Sequence, residues 1–157
     1  MSVPNLPPSD PTKLYVVDFE VRKEGWSWYQ LDDGNKIRAR VMLISVRASQ
    51  PNLKQQESVA PETNIIVKVD SPPNRRGPIG SNPTPEELSD PKGHGGEEVE
   101  IDSSNEPWNE YRVGRNALRL RMKLVLNRVW RIKGRFDPIG DPVYVVNFSV
   151  NTTIEKV

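Results

Sequence analysis

The chain has 157 residues, 35% hydrophobic and 27% charged, which sizes it for one domain built on one core. It contains no cysteine, so disulfides, iron–sulfur ligation and thiolate zinc sites are excluded, and the composition is compatible with a thermophilic source. No apolar run approaches the eighteen residues of a membrane span, and the start of the chain lacks the basic and apolar regions of a secretory signal; a cytoplasmic protein with no membrane partner is expected.

The net charge of +1 conceals an asymmetry. Residues 1–70 carry nine Lys/Arg and nine Asp/Glu, residues 71–107 carry three against eight, and residues 108–157 carry ten against four. A basic C-terminal segment beside an acidic middle can hold the two together, or can offer a cationic surface to an anionic partner.

Residues 1–12 include Pro4, Pro7, Pro8 and Pro11 and read as a flexible arm, because proline supplies no backbone donor. From Leu14 to Arg22 the apolar Tyr15, Val17, Phe19 and Val21 recur at period two, which predicts a single strand. Trp26 to Leu31 predicts a second strand, and Asp32-Asp-Gly34-Asn a hairpin turn, since Gly accepts the positive φ that such turns demand.

Ile37 to Arg47 is the return strand. Its apolar set begins on one face as Ile37, Ala39, Val41 and Leu43. It then spreads to the other through Met42, Ile44 and Val46, as in a strand that runs into protein on both sides. Glu62 to Val69 follows as a further strand.

Residues 71–107 hold seven prolines and five glycines and read as a flexible acidic insertion, with one short capped helix at Thr84-Pro-Glu-Glu-Leu88. Leu118 to Lys133 carries apolar residues at even positions and cations at odd ones. That pattern predicts a long β-run, bulged near Asn127-Arg128 where it weakens. Pro142 to Val150 is the last strand.

The segment Tyr29–Val41 returns as Tyr111–Met122, and Glu62–Val69 has its counterpart in Asp141–Phe148. Two pseudo-repeated β-units, 13–70 and 108–157, are therefore expected within a single all-β domain at 13–157. The architecture would be a small barrel or sandwich, with a long Pro/Gly-rich acidic loop between the units.

Catalytic and metal chemistry finds little support. The one histidine, His94, lies in a glycine-rich stretch, and zinc sites need three or four ligands. Asp18 and Glu20 share a strand face, where Arg22, Arg38 and Arg40 are expected to neutralise them across strands. No phosphate-cradling loop is present. No catalytic residue, metal site or cofactor is assigned, and the chain reads as a non-enzyme.

The expected function is a binding or assembly module acting through protein contacts, either with a protein partner or by self-assembly along an exposed strand edge. The second reading is single-stranded nucleic-acid binding. It would use the cations Arg112, Arg115, Arg119, Arg121, Lys123, Arg131 and Lys133, with Trp108 and Tyr111 as stacking rings, and internal ion pairing of the same cations is its alternative.

Overall fold

A computed structural model describes residues 11–49 and 59–157. Most of the expected N-terminal arm, residues 1–10, therefore lies outside the described residues. Among the described residues, ten strands form two five-stranded antiparallel sheets, and neither sheet closes into a barrel. The first sheet, sheet A, contains β1 (Tyr15–Val17), β3 (Ser27–Leu31), β4 (Lys36–Ala48), β5 (Val59–Asp70) and β7 (Ile101–Asn105). The second, sheet B, contains β2 (Phe19–Lys23), β6 (Gly96–Glu98), β8 (Trp108–Val113), β9 (Leu118–Phe136) and β10 (Pro142–Lys156).

Both sheets contribute to one apolar core. Tyr29, Ile37 and Val41 of sheet A pack in the same cluster as Tyr111, Leu120, Met122 and Leu124 of sheet B, and each of these is at most 2% exposed. This is the arrangement of two sheets laid face to face, in which alternate residues of each strand supply the interior.

The expected first strand is in fact two. It breaks at Asp18, so that β1 pairs with the far end of β4 in sheet A while β2 pairs with β8 in sheet B. Period-two alternation runs unbroken across a change of sheet, which is why the sequence pattern does not reveal it. The expected ladder between Asp18 or Glu20 and Arg38 or Arg40 is lost for the same reason. Glu20 pairs with Arg22, whereas Arg38 pairs with Asp70 and Arg40 with Glu24.

The same pairing scheme occurs a second time. β6 pairs with the far end of β9 in sheet B, and β7 then crosses to sheet A and pairs with β3. β8 and β9 form a hairpin, and β10 runs back along β9, as β3, β4 and β5 do in sheet A. With β1–β5 (residues 15–70) as one half and β6–β10 (residues 96–156) as the other, each half thus sends one strand into the other's sheet, and the second unit begins before the expected residue 108.

The two long strands also share an irregularity. In β4 the register slips at Ile44 between Leu43 and Ser45, and in β9 it slips at Asn127 between Leu126 and Arg128. Each extra residue resets the alternation, so Val46 and Val129 both return to the core with no exposed surface. The bulge, and not burial on both faces, brings Val46 into the core, while Met42 is half-buried and Ile44 exposed. It also turns Trp130 away from the phase of Leu124 and Leu126, onto a small separate cluster with Ile132, Val143 and Val145.

The acidic insertion is partly built into the sheets. Besides β6 and β7 it forms α1 (Pro85–Ser89), where Thr84 and Glu87 make the reciprocal hydrogen bonds of a capping box. Arg135 of β9 clamps this turn through two hydrogen bonds to Glu87 at 2.8 and 3.0 Å, and reaches Ser81 and the Asn82 carbonyl as well. Gly80 lies so close to Phe136 that a Cβ would sit 2.0 Å from its carbonyl oxygen, so the backbone there admits only glycine. Cationic and acidic segments are joined at this clamp.

The Arg135 guanidinium holds the Glu87 carboxyl down from its usual 4.5 to about 2, with help from the Thr84 backbone N–H. A carboxylate whose pKa is lower in the folded chain contributes its full stabilisation above about pH 4.5 and loses it as the pH falls toward 2. Acid titration of unfolding is expected to show stability falling across this window, and Glu87→Gln is expected to remove that part of the pH dependence.

Candidate functional site

Each half contains a glutamate, a tryptophan two residues later and a tyrosine three residues after that: Glu24-Gly-Trp26-Ser-Trp-Tyr29 and Glu106-Pro-Trp108-Asn-Glu-Tyr111. The glutamates stand just before β3 and β8, where the chain returns from the opposite sheet. That placement sets each carboxylate against the other half's tyrosine. Tyr29 donates to Glu106 at 2.8 Å, and Tyr111 donates to Glu24 at 2.6 Å. Glu106 also accepts the Leu126 backbone N–H at 2.8 Å, and Glu24 accepts from Arg40 at 3.0 Å.

Both phenols are buried, and burial together with the neighbouring carboxylate pushes each well above the usual tyrosine range. They therefore remain donors throughout the ordinary pH range. A third tyrosine, Tyr144, donates to Asp33 and accepts from Asn35 at 2.8 Å, and Asp33 is held by Arg131 at 3.2 Å. Asp33 thus anchors its turn to sheet B, beyond the turn-shaping role expected of it.

The spacing that carries this reciprocal pair was visible in the sequence. Register places Ile37 opposite Tyr29 and Leu120 opposite Tyr111, so Ile37 and Leu120 are equivalent.

The expected nucleic-acid residues divide into three groups. Tyr111 is fully buried in the core with its hydroxyl on Glu24, and offers no ring face to solvent. Arg112, Arg119 and Arg131 are ion-paired: Arg112 with Glu110 at 3.5 Å, Arg119 with Glu155 at 2.8 Å and Glu110 at 3.9 Å, and Arg131 with Asp33. Arg121 and Lys123 lie over the Trp108 ring at 4.8 and 5.8 Å, while Arg115 sits at the β8–β9 hairpin tip with φ 55° and Lys133 is exposed near the end of β9. Three of the seven cations are therefore neutralised within the protein, and Arg115, Arg121, Lys123 and Lys133 make no ion pair among the described residues.

Sheet A presents a different outer face. Cross-strand register sets Ser103, Gln30, Lys36 and Asp70 in one row, and Asn105, Trp28, Arg38 and Lys68 in the next. Trp28 is 43% exposed, and the Arg38 guanidinium lies 5.8 Å from its ring and 5.0 Å from that of Trp26. A groove of about 340 Å³ runs along Trp28, Gln30, Lys36, Ser103 and Asn105. A second basin, of about 450 Å³, shares Lys36 and is lined by Lys68, Arg76, Ser71 and the buried Asp141.

His94 is exposed on a turn, with its ring Nδ1 2.8 Å from the Asp90 carbonyl. Among the described residues no group of three His, Cys, Asp or Glu side chains could hold a metal ion, and no helix is long and apolar enough to cross a membrane.

The Tyr29 and Tyr111 hydroxyls can be tested directly. Tyr29→Phe and Tyr111→Phe are each expected to cost about 1–3 kcal/mol in chemical denaturation, the penalty of leaving a partly buried carboxylate short of a donor. A loss within a few tenths of a kcal/mol in both variants would assign the pairs no structural role.

No protein-family model matches the chain, and no curated protein or solved structure is significantly similar to it.

Proposed function

We propose that the chain is a duplicated β-unit that acts, without catalysis, as an assembly module whose contact is made by strand addition along β10. The observation that carries this reading is the edge of sheet B. β10 is fifteen residues long, pairs only with β9, and leaves its other edge without a partner among the described residues.

Edges of this kind are ordinarily guarded by lysine, proline or inward charge, because a free row of N–H and C=O groups pairs with any strand that reaches it. From Val143 to Ile154 there is neither a charge nor a proline. The corresponding edge in sheet A is better defended, with Pro61, Glu62 and Lys68 along β5.

A partner needs only an extended strand to fit. A second copy of the chain supplies one in β10 itself, and antiparallel pairing of the two edges closes as a two-fold dimer that uses the same surface twice. Duplication fits the same picture, since the two halves repeat the strand order, the bulge and the Glu–Trp–Tyr spacing.

Light scattering of the purified chain is expected to show a dimer or larger species. Asn151→Lys combined with Thr153→Lys, both at exposed positions of β10, is expected to return it to monomer with an unchanged circular dichroism spectrum. A wild-type chain that stays strictly monomeric at high concentration would overturn the proposal.

A further inference from the structure

We infer that the outer face of sheet A is a binding site for a nucleotide unit, with the base stacked on Trp28 and its phosphate held at Lys36 above the cationic basin. This site is separate from the β10 edge and does not depend on assembly there.

The two halves offer an internal comparison. By register, Trp28, Gln30 and Lys36 of sheet A occupy the places of Glu110, Arg112 and Arg119 in sheet B. In sheet B, Glu110 draws both arginines to itself, at 3.5 and 3.9 Å, so the cation in the place of Lys36 is already paired. In sheet A an exposed indole replaces the carboxylate, and Lys36 makes no ion pair among the described residues. At equivalent places, Arg119 is spent on carboxylates and Lys36 is not.

The chemistry of the open side is that of a flat ring joined to an anion. Trp28 offers a π-face, and Gln30, Ser103 and Asn105 flank it with amide and hydroxyl groups able to meet the polar edge of a base. Lys36 is diagonal to Trp28 on the adjacent strand, roughly 7–8 Å away, which suits the step from a base to its phosphate.

Beyond Lys36, the basin has positive charge in excess. Asp70 is occupied by Arg38 at 3.3 Å, and Asp141 lies between Lys68 at 3.3 Å and Arg76 at 3.6 Å. Lys36, Lys68 and Arg76, three cations, thus line the basin with two carboxylates, one of which is already held by Arg38 from outside it. Ser71 lines the same basin, is 6% exposed, and its hydroxyl has no hydrogen-bond partner among the described residues. A buried hydroxyl without a partner beside excess cations is what a phosphate oxygen would satisfy.

The test is tryptophan fluorescence of the full chain titrated with thymidine monophosphate and with an oligothymidylate, at low and at physiological salt. Saturable quenching is expected. Trp28→Ala is expected to weaken binding at least about fivefold and Trp28→Phe to retain most of it. Lys36→Ala, at an exposed position that should leave the fold intact, is expected to make the plot of log affinity against log salt for the oligonucleotide shallower by about 0.7. Trp108→Ala and Arg121→Ser in sheet B are expected to change little.

Binding of the monophosphate as well as the oligomer would identify free nucleotide as a sufficient ligand; binding of the oligomer alone would identify single-stranded nucleic acid. Absence of quenching by both at low salt would overturn the inference. So would equal losses from Trp28→Ala and Trp108→Ala.

Discussion

Two buried hydroxyl–carboxylate contacts, each joining a tyrosine of one half to a glutamate of the other, constrain the rest of this structure. A phenol in an apolar core needs an acceptor, and a carboxylate taken from water needs donors. Tyr29 finds its acceptor only because the chain bearing Glu106 has come back from sheet A, and Tyr111 only because the chain bearing Glu24 has come back from sheet B. The exchange of β2 and β7 between sheets is what brings these groups together. Neither half satisfies its own tyrosine, so the core is complete only when both are folded.

Once the interior is fixed by reciprocity, the outer faces are free to differ. The core partners Ile37 and Leu120, or Val46 and Val129, are apolar and fully buried in both halves. Outside, Trp28 in one half stands where Glu110 stands in the other; Glu110 holds Arg112 and Arg119, whereas Trp28 leaves the equivalent Lys36 without an ion pair among the described residues. The basic C-terminal composition, which first suggests a polyanion surface on sheet B, is spent in part on Glu110, Glu155, Asp33 and Glu87, which pair with Arg112, Arg119, Arg131 and Arg135. Net charge along a chain counts groups; it does not count the partners that folding brings to them.

Much of the fold was legible in local patterns. Alternation located most strands, the Asp-Gly pair located the β3–β4 turn, whose Gly34 has φ 86°, and Thr84 with Glu87 located the capped helical turn of α1. The weakening of alternation near Asn127 marked a true bulge. What local patterns could not show was the partner of each strand. Tyr15–Val21 reads as one strand because side chains alternate regardless of which sheet receives them, and the break at Asp18 is a tertiary event. Residues 96–105 were hidden for a related reason: Glu97, Glu98, Asp102 and Ser103 look like solvated loop, yet short edge strands carry such residues because one edge faces water. The groove at Trp28 was missed because its members come from three strands, 28–30, 36–38 and 103–105, that only register aligns.

Native-state hydrogen exchange measures the mutual dependence of the halves most directly. If the crossed tyrosine–glutamate contacts make one cooperative core, the slowest amides of β3 and β4 and those of β8 and β9 will open with the same free energy, equal to that of global unfolding. If one set exchanges through an opening several kcal/mol cheaper than the other, the halves fold separately and the account is contradicted.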